Sequence, residues 1–322
     1  MSTTKRGGNF VFSKKINQKR CNLCYGVSGW KFPKDIVGLH NVKMCDTCGL
    51  IRTESGLSRI EIDEFYKITF KNDPGAINAQ SQLDELEQVN FLQSKEVLNG
   101  IALPLLSTYM DLKGKKCLEI RFRTGAWLEI LLEMGASEVT GVDLFKANVD
   151  TVNSKNSTAT VSQCSVFDLP GQAQGQFDLI SGASIHVLSH VPDLRIFLAR
   201  VYDLLATNGI IFFDEKDISM ITEEAKTLPL CDPNPMAHYF HFTLDTVRNV
   251  VENCGFEIMF CEIYKRKSDL AHIAVVAQKS SSQRVADLSK VGSFMKREEL
   301  KTRFEMIVSD HREKIVLMDR GQ

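Results

Sequence analysis

No run of about eighteen apolar residues occurs in this 322-residue chain, so no segment is expected to cross a bilayer as a helix. Neither sign of charge dominates. The 39 Lys+Arg and 40 Asp+Glu leave a net charge of −1, which gives no global pull toward nucleic acid or an anionic membrane. The first twenty residues carry no apolar core and no small-residue cleavage site, so a secretory signal is not expected and the chain is assigned to the cytoplasm. Internal repeats and low-complexity tracts are also missing. What remains is a globular balance, 43% hydrophobic against 25% charged, which excludes disorder and collagen-like repeats. The length suits two domains with at least one large core.

Cysteine is the residue in excess, and its placement carries the information. Four of the nine form two Cys-x-x-Cys pairs, Cys21/Cys24 and Cys45/Cys48, inside the first fifty residues. Each pair can present two thiolates to one ion, and two pairs together make a closed tetrahedral site of the kind that holds structural Zn²⁺. So short and polar a segment builds no core of its own, so the metal is expected to supply most of its folding energy. His40 lies between the pairs, but four thiolates already complete the set. Residues 1–57 hold ten Lys/Arg against three acids. No aromatic residues interleave with them in a stacking pattern, so a solvated zinc ribbon is favoured over a nucleic-acid footprint. Cys117, Cys164, Cys231, Cys254 and Cys261 stand singly among apolar neighbours and read as small buried hydrophobes.

The remaining chain divides by periodicity. Residues 58–108 read as a helical connector, with apolar residues from Leu83 to Leu98 at helical spacing up to Pro104. Residues 109–279 alternate short apolar runs with amphipathic stretches, the pattern of a parallel sheet wrapped by helices. Strands are predicted at Lys116–Ile120, Glu138–Val142 ending at Asp143, Thr158–Gln163, Phe177–Ser181, Ile210–Phe213, Phe256–Tyr264 and Ala271–Gln278. Helices are predicted at Ala126–Met134, Leu194–Leu205 with a C-cap at Asn208-Gly209, and Thr243–Cys254. The segment 218–237, with three prolines, is long enough to serve as a substrate lid. Residues 280–322 read as a linker followed by an amphipathic helix over 295–318, whose apolar face packs in cis or forms a homodimer contact.

These residues carry a resemblance. Leu118-Glu119-Ile120-Arg121-Phe122-Arg123-Thr124-Gly125, Val139-Thr140-Gly141-Val142-Asp143, Phe177-Asp178-Leu179-Ile180 and His190-Val191-Pro192-Asp193, in this order, resemble the class I S-adenosylmethionine-dependent methyltransferases. Met44 to Ile51 with Asp63-Glu64-Phe65-Tyr66 resembles the zinc-binding segment of bacterial members in sugar and surface-polysaccharide biosynthesis. The resemblance implies a Rossmann-like seven-stranded α/β sheet, the cofactor S-adenosylmethionine, a structural zinc and a small, sugar-linked acceptor methylated on a hydroxyl or carbon. It also implies a cofactor site drawn from Glu119, Arg121, Arg123, Gly125, Asp143, Leu144, Ser165 and Val166. Asp143 ends the second strand about twenty residues after the first turn, where a carboxylate can accept both ribose hydroxyls or, alternatively, cap a helix. Asp168 lies near where adenine is expected, with Ser165 at the position that usually carries the adenine-binding acid.

The chain departs from the family at the glycine loop, where Arg121 and Arg123 replace two of three glycines. Glycine serves there because backbone approaches ligand closely and needs φ > 0. Three outcomes follow. The arginines turn aside or pair with Glu119, Asp143 or the donor carboxylate in an active enzyme; they recognise a more anionic ligand; or the domain is an inactive scaffold. An RNA methyltransferase using the basic ribbon is a further alternative. Methyl transfer from a sulfonium needs orientation and removal of a proton. The candidate bases are His186, His190 and His238, with Tyr239 beside them, while His241, His272 and His311 read as structural or exposed.

Overall fold

The computed structural model describes residues 16–17, 20–31, 42–53, 55–56, 91–155, 157–184, 186–218, 238–265 and 271–280. His40, the connector up to residue 90, most of the expected lid and the helix over 295–318 lie outside the described residues.

The chain begins with short strands: β1 (Ile16–Asn17), β2 (Gly29–Lys31), β3 (Val42–Cys45), β4 (Ile51–Thr53) and β5 (Ser55–Gly56). β2, β3 and β4 form an antiparallel ribbon, and β1 pairs with β5. Residues 91–97 are helical and lead through a π-turn at Leu98–Ala102 into α1 (Leu103–Tyr109). This helix continues past Pro104. The wider π-turn lies just before the proline, which lacks the N–H for an i−4 bond and whose ring crowds the carbonyl one turn back.

The α/β unit follows as β6 (Lys116–Ile120), α2 (Ala126–Glu133), β7 (Glu138–Asp143), α3 (Lys146–Ser154), β8 (Thr160–Gln163), β9 (Phe177–Gly182), α4 (Leu194–Leu204), β10 (Leu205–Lys216), β11 (Phe240–His241), α5 (Leu244–Asn253), β12 (Phe256–Lys265) and β13 (Ala271–Lys279). Seven strands make one sheet in the order β12-β13-β10-β9-β6-β7-β8. β10, β9, β6, β7 and β8 run parallel, and β13 is antiparallel to both its neighbours. This is the expected Rossmann-like seven-stranded sheet. Its strand order reverses between β6 and β9, which opens a crevice at the carboxyl ends of the strands.

Both faces of the sheet are buried, and the period of two distributes successive residues between them. Leu118, Ile180, Ile211 and Phe213 face one core with α4 and α5. Cys117, Leu179, Ile210 and Phe212 face the other with α1, α2 and α3, around the fully buried Trp127. The ribbon joins the first of these cores. Leu23 and Leu50 belong to the same buried cluster as Phe213 and Val247. β11, 188 residues after β4 at the register pair Arg52↔Phe240, adds a fourth antiparallel strand to the ribbon.

Several boundaries differ from the sequence reading, β10 most of all, which runs Leu205–Lys216 rather than Ile210–Phe213. β8 begins at Thr160. More informative is the end of α4, which stops at Leu204 rather than at an Asn208-Gly209 cap. Gly175 and Gln176 donate to the carbonyls of Asp203 and Leu204, so the loop before β9 satisfies the helix end. Leu205 already pairs with Phe177, and left-handed Asn208 lies in the register shift that precedes Ile210.

Candidate functional site

The four ribbon cysteines converge. Cys21 and Cys48 sulfurs lie 3.3 Å apart, those of Cys24 and Cys45 3.4 Å apart, and all four ligand atoms fall within 4.8 Å of one another. Each Cys-x-x-Cys turn is closed by a left-handed residue, Tyr25 (φ 60°) or Gly49 (φ 73°), whose N–H returns to the carbonyl of the turn's first cysteine. Hydrogen bonds among the sulfurs split the thiols in acidity. Cys24 falls to about 6 and Cys45 falls below the usual thiol range, both led by the bond with Cys21, while Cys21 and Cys48 rise. The cluster thus shares protons that a divalent ion would displace. Four close sulfur donors, three of them buried, fit a structural zinc. The turn is also tied to α4: Asn22 Oδ1 accepts the N–H of Leu194, and Arg195 Nη1 donates to the carbonyl of Leu23.

A cavity of about 150 Å³ opens at the carboxyl ends of β6, β7 and β8. Of the residues expected to hold the cofactor, Arg121, Asp143, Leu144, Ser165 and Val166 line it; Glu119, Arg123 and Gly125 do not. The loop nevertheless keeps the backbone path of a glycine loop. Arg121, Arg123 and Gly125 all have positive φ, at 61°, 51° and 80°. Arg121 N–H donates to the carbonyl of Val142 at 2.7 Å and Arg123 N–H to Asp143 Oδ2 at 3.2 Å, and these bonds fix the left-handed turns. Gly125 is required for a second reason, since a Cβ there would lie 2.5 Å from Val152 Cγ2. Asp143 Oδ2 also accepts from Asn148, and Oδ1 accepts the N–H of Phe145 at the start of α3. It therefore faces the cavity while bracing the helix entry. Asp168 turns back to accept the N–H of Ser165, closing a capping box.

Glu119 is fully buried. Its carboxylate accepts the N–H groups of Ala183 and Ser184 at 3.0 Å and meets Ser181 Oγ at 2.5 Å; burial pushes it up to about 7. Glu215 on β10 repeats the device, accepting from Leu188 N–H and Ser189 Oγ, with burial raising it to about 8. The two carboxyls hold the chain on either side of His186, Glu119 at Ala183 and Ser184 and Glu215 at Leu188 and Ser189, just before His190. Sequence reading missed Glu215; its only signal was an acid at a strand end beside Asp214.

The three candidate bases do come together. Ring centroids lie 6.5 Å apart for His186–His190, 6.3 Å for His186–His238 and 4.4 Å for His190–His238. His190 and Tyr239 line the large cavity, whereas His186 and His238 line a neighbouring cavity of about 20 Å³ with Lys216 and Asp217. Burial, then the charges of Lys216 and Arg121, hold His238 down to about 3. It is neutral across the physiological range. His241 is buried beside it and likewise held to about 3, chiefly by burial.

Comparison with known proteins gives a consistent family. A family model described as a methyltransferase domain matches residues 96–259. An uncharacterized protein of Haemophilus influenzae is 28% identical over 120 residues, 35% of this chain and 46% of that protein. A ubiquinone biosynthesis O-methyltransferase of Neisseria meningitidis is 26% identical over 121 residues, 36% of this chain and 50% of that enzyme. The chain thus spans about half the length of the curated relatives it matches. Among solved structures, the 1,6-didemethyltoxoflavin-N1-methyltransferase of Burkholderia thailandensis, with S-adenosylhomocysteine bound, is 16% identical with a TM-score of 0.47, covering 72% of this chain and 95% of that one. The matched residues run from the helix before β6 into β12 and include every residue that lines the large cavity; the chain belongs to the methyltransferase-domain family.

Proposed function

We propose that this protein transfers the methyl group of S-adenosylmethionine to a hydroxyl or carbon of a small, sugar-linked acceptor, with a structural zinc in its ribbon. The observation that carries the reading is the cavity at the sheet's switch point, with the Asp143 carboxylate on one wall and His190 on another. Asp143 is the residue to accept the ribose hydroxyls, and the left-handed path through Arg121, Arg123 and Gly125 keeps the loop backbone low beside the cavity. Leu144, Ser165 and Val166 supply its largely apolar side. The cofactor, when bound, supplies an already activated sulfonium methyl.

The protein's own work is then orientation and proton removal. His190 is the base the geometry favours, because it faces the large cavity while His186 and His238 face the small one. His238, held neutral, can accept a hydrogen bond but is too weakly basic to keep a proton near pH 7. The sugar-linked acceptor rests on the resemblance of the ribbon and is the finest part of the reading.

Calorimetric titration with S-adenosylhomocysteine tests the cofactor. Saturable binding is expected; none at millimolar ligand would leave an inactive scaffold as the better reading. With an acceptor in hand, His190→Ala should lower kcat by roughly 10²–10⁴ and remove the acidic limb of the pH profile, where protonation of the base stops the reaction.

A further inference from the structure

We propose that His186 and His272, with Asp214 behind His272, form a second metal site, for a divalent transition-metal cation of the zinc class. It lies at the carboxyl end of β10, away from the cysteine cluster. One donor atom each from His186, Asp214 and His272 fall within 4.8 Å of one another. The three are brought together by strand pairing rather than by sequence. His272 is opposite Lys216 on β10 and opposite Tyr264 on β12, so Asp214, two residues along β10, shares their face of the sheet.

The hydrogen bonds fix which atom of His272 is offered. Its Nδ1 lies 2.8 Å from Asp214 Oδ1, and Tyr264 Oη donates to Asp214 Oδ2 at 2.5 Å. With Nδ1 turned to Asp214, Nε2 is the ring atom left to face a ligand, and a neutral imidazole offers its lone pair there. That Nε2 is buried and has no hydrogen-bond partner. A carboxylate–histidine pair with a free Nε2 lone pair is the arrangement by which proteins orient a metal-ligating imidazole. The His186 ring lies beside it, at 5.8 Å between centroids. A zinc–nitrogen bond of about 2.0–2.1 Å puts each ring centroid roughly 3 Å from the ion, so rings at this separation can share one.

His186 also borders the 20 Å³ cavity, which is large enough for about one water, so open positions can take water or an acceptor oxygen. Lys216 lines the same cavity and opposes a cation, but Asp217 lines it too and offsets that charge. His272 borders neither cavity, which disfavours a direct role as a base on the acceptor.

The test is metal stoichiometry on the full chain, stripped with chelator, reloaded with Co²⁺ or Zn²⁺ and dialysed. Cobalt separates the sites, since only the cysteine cluster gives thiolate-to-cobalt charge-transfer absorption. The wild type should hold one ion beyond the thiolate-bound one. His272→Gln and the less buried His186→Gln should each lose that ion and keep the thiolate band, with far-UV circular dichroism unchanged. Wild-type protein with no ion outside the thiolate site overturns the proposal. So does retention of the extra ion in either folded variant. Failure of the cysteine site alone would remove the thiolate band and leave this ion in place.

Discussion

Replacing Arg121 and Arg123 with glycine tests whether this loop is a working cofactor loop under strain. Both arginines sit in the left-handed region, at φ 61° and 51°. For a residue with a Cβ that conformation costs roughly 1–2 kcal/mol. Glycine relieves it but gives the unfolded chain more freedom, worth about 0.4–1 kcal/mol in the other direction. The net is a gain of roughly 0.8 kcal/mol per site and about 1.5 kcal/mol for the pair, or about 3–6 °C in Tm at 2–4 °C per kcal/mol. Arg123 is exposed and lines neither of the two cavities described above, so Arg123→Gly should leave S-adenosylhomocysteine affinity unchanged. Arg121 lines the cavity, and Arg121→Gly should leave affinity unchanged or weaker. Differential scanning calorimetry and isothermal titration give both quantities. A less stable Arg123→Gly protein would contradict the strain argument. A tenfold tighter complex for Arg121→Gly, about 1.4 kcal/mol, would mean that the guanidinium blocks the site, and the methyltransferase reading would have to go.

The other predictions rest on separate features. Gly125→Ala should cost roughly 1–3 kcal/mol in urea denaturation, because the new Cβ meets Val152 at 2.5 Å in a left-handed turn, and Val152→Ala should recover part of it. Elemental analysis should find one zinc on the cysteine cluster; Cys45→Ser should lose it and loosen the start of α4, where Asn22 holds the Leu194 N–H, as hydrogen exchange would register. Glu119 has a folded pKa raised to about 7, so its contribution to stability is complete below about 4.5 and is lost as pH rises through 7. Glu119→Gln keeps an acceptor for Ala183 and Ser184 and a donor for Ser181, so wild-type stability minus variant stability should fall by up to about 1.4 kcal/mol per pH unit between pH 5 and 7; a flat difference would remove the raised pKa.

The parts of this molecule that were legible in sequence are those written in local periods. Cys117-Leu118-Glu119-Ile120 reads as a strand because both its faces are buried, and the cysteine pairs read as a metal site because each turn is local. Asp143 could be placed at the cavity because a strand end and a turn fix it within a few residues. Left-handed arginines were not legible, since no arginine preference points to φ > 0. The bonds from Arg121 N to Val142 O and from Arg123 N to Asp143 impose that conformation.

What sequence cannot supply is register across long separations. Asn208-Gly209 looked like a helix cap, and became a strand irregularity because Leu205 had already paired with Phe177 across the sheet. The same holds on the acceptor side. Thr53 reaches His238 across 185 residues, and Glu215 reaches Ser189 across 26. Asp214 meets Tyr264 and His272 only because β12, β13 and β10 pair in one register, at separations of 50 and 58 residues. A one-residue slip of β13 would turn His272 to the opposite face and leave Asp214 without its partner. The histidine cluster is therefore a product of strand registration and of two buried carboxyls, Glu119 and Glu215, that hold the intervening loop at both ends. Residues read singly as structural, such as His272, meet their partners only through that registration.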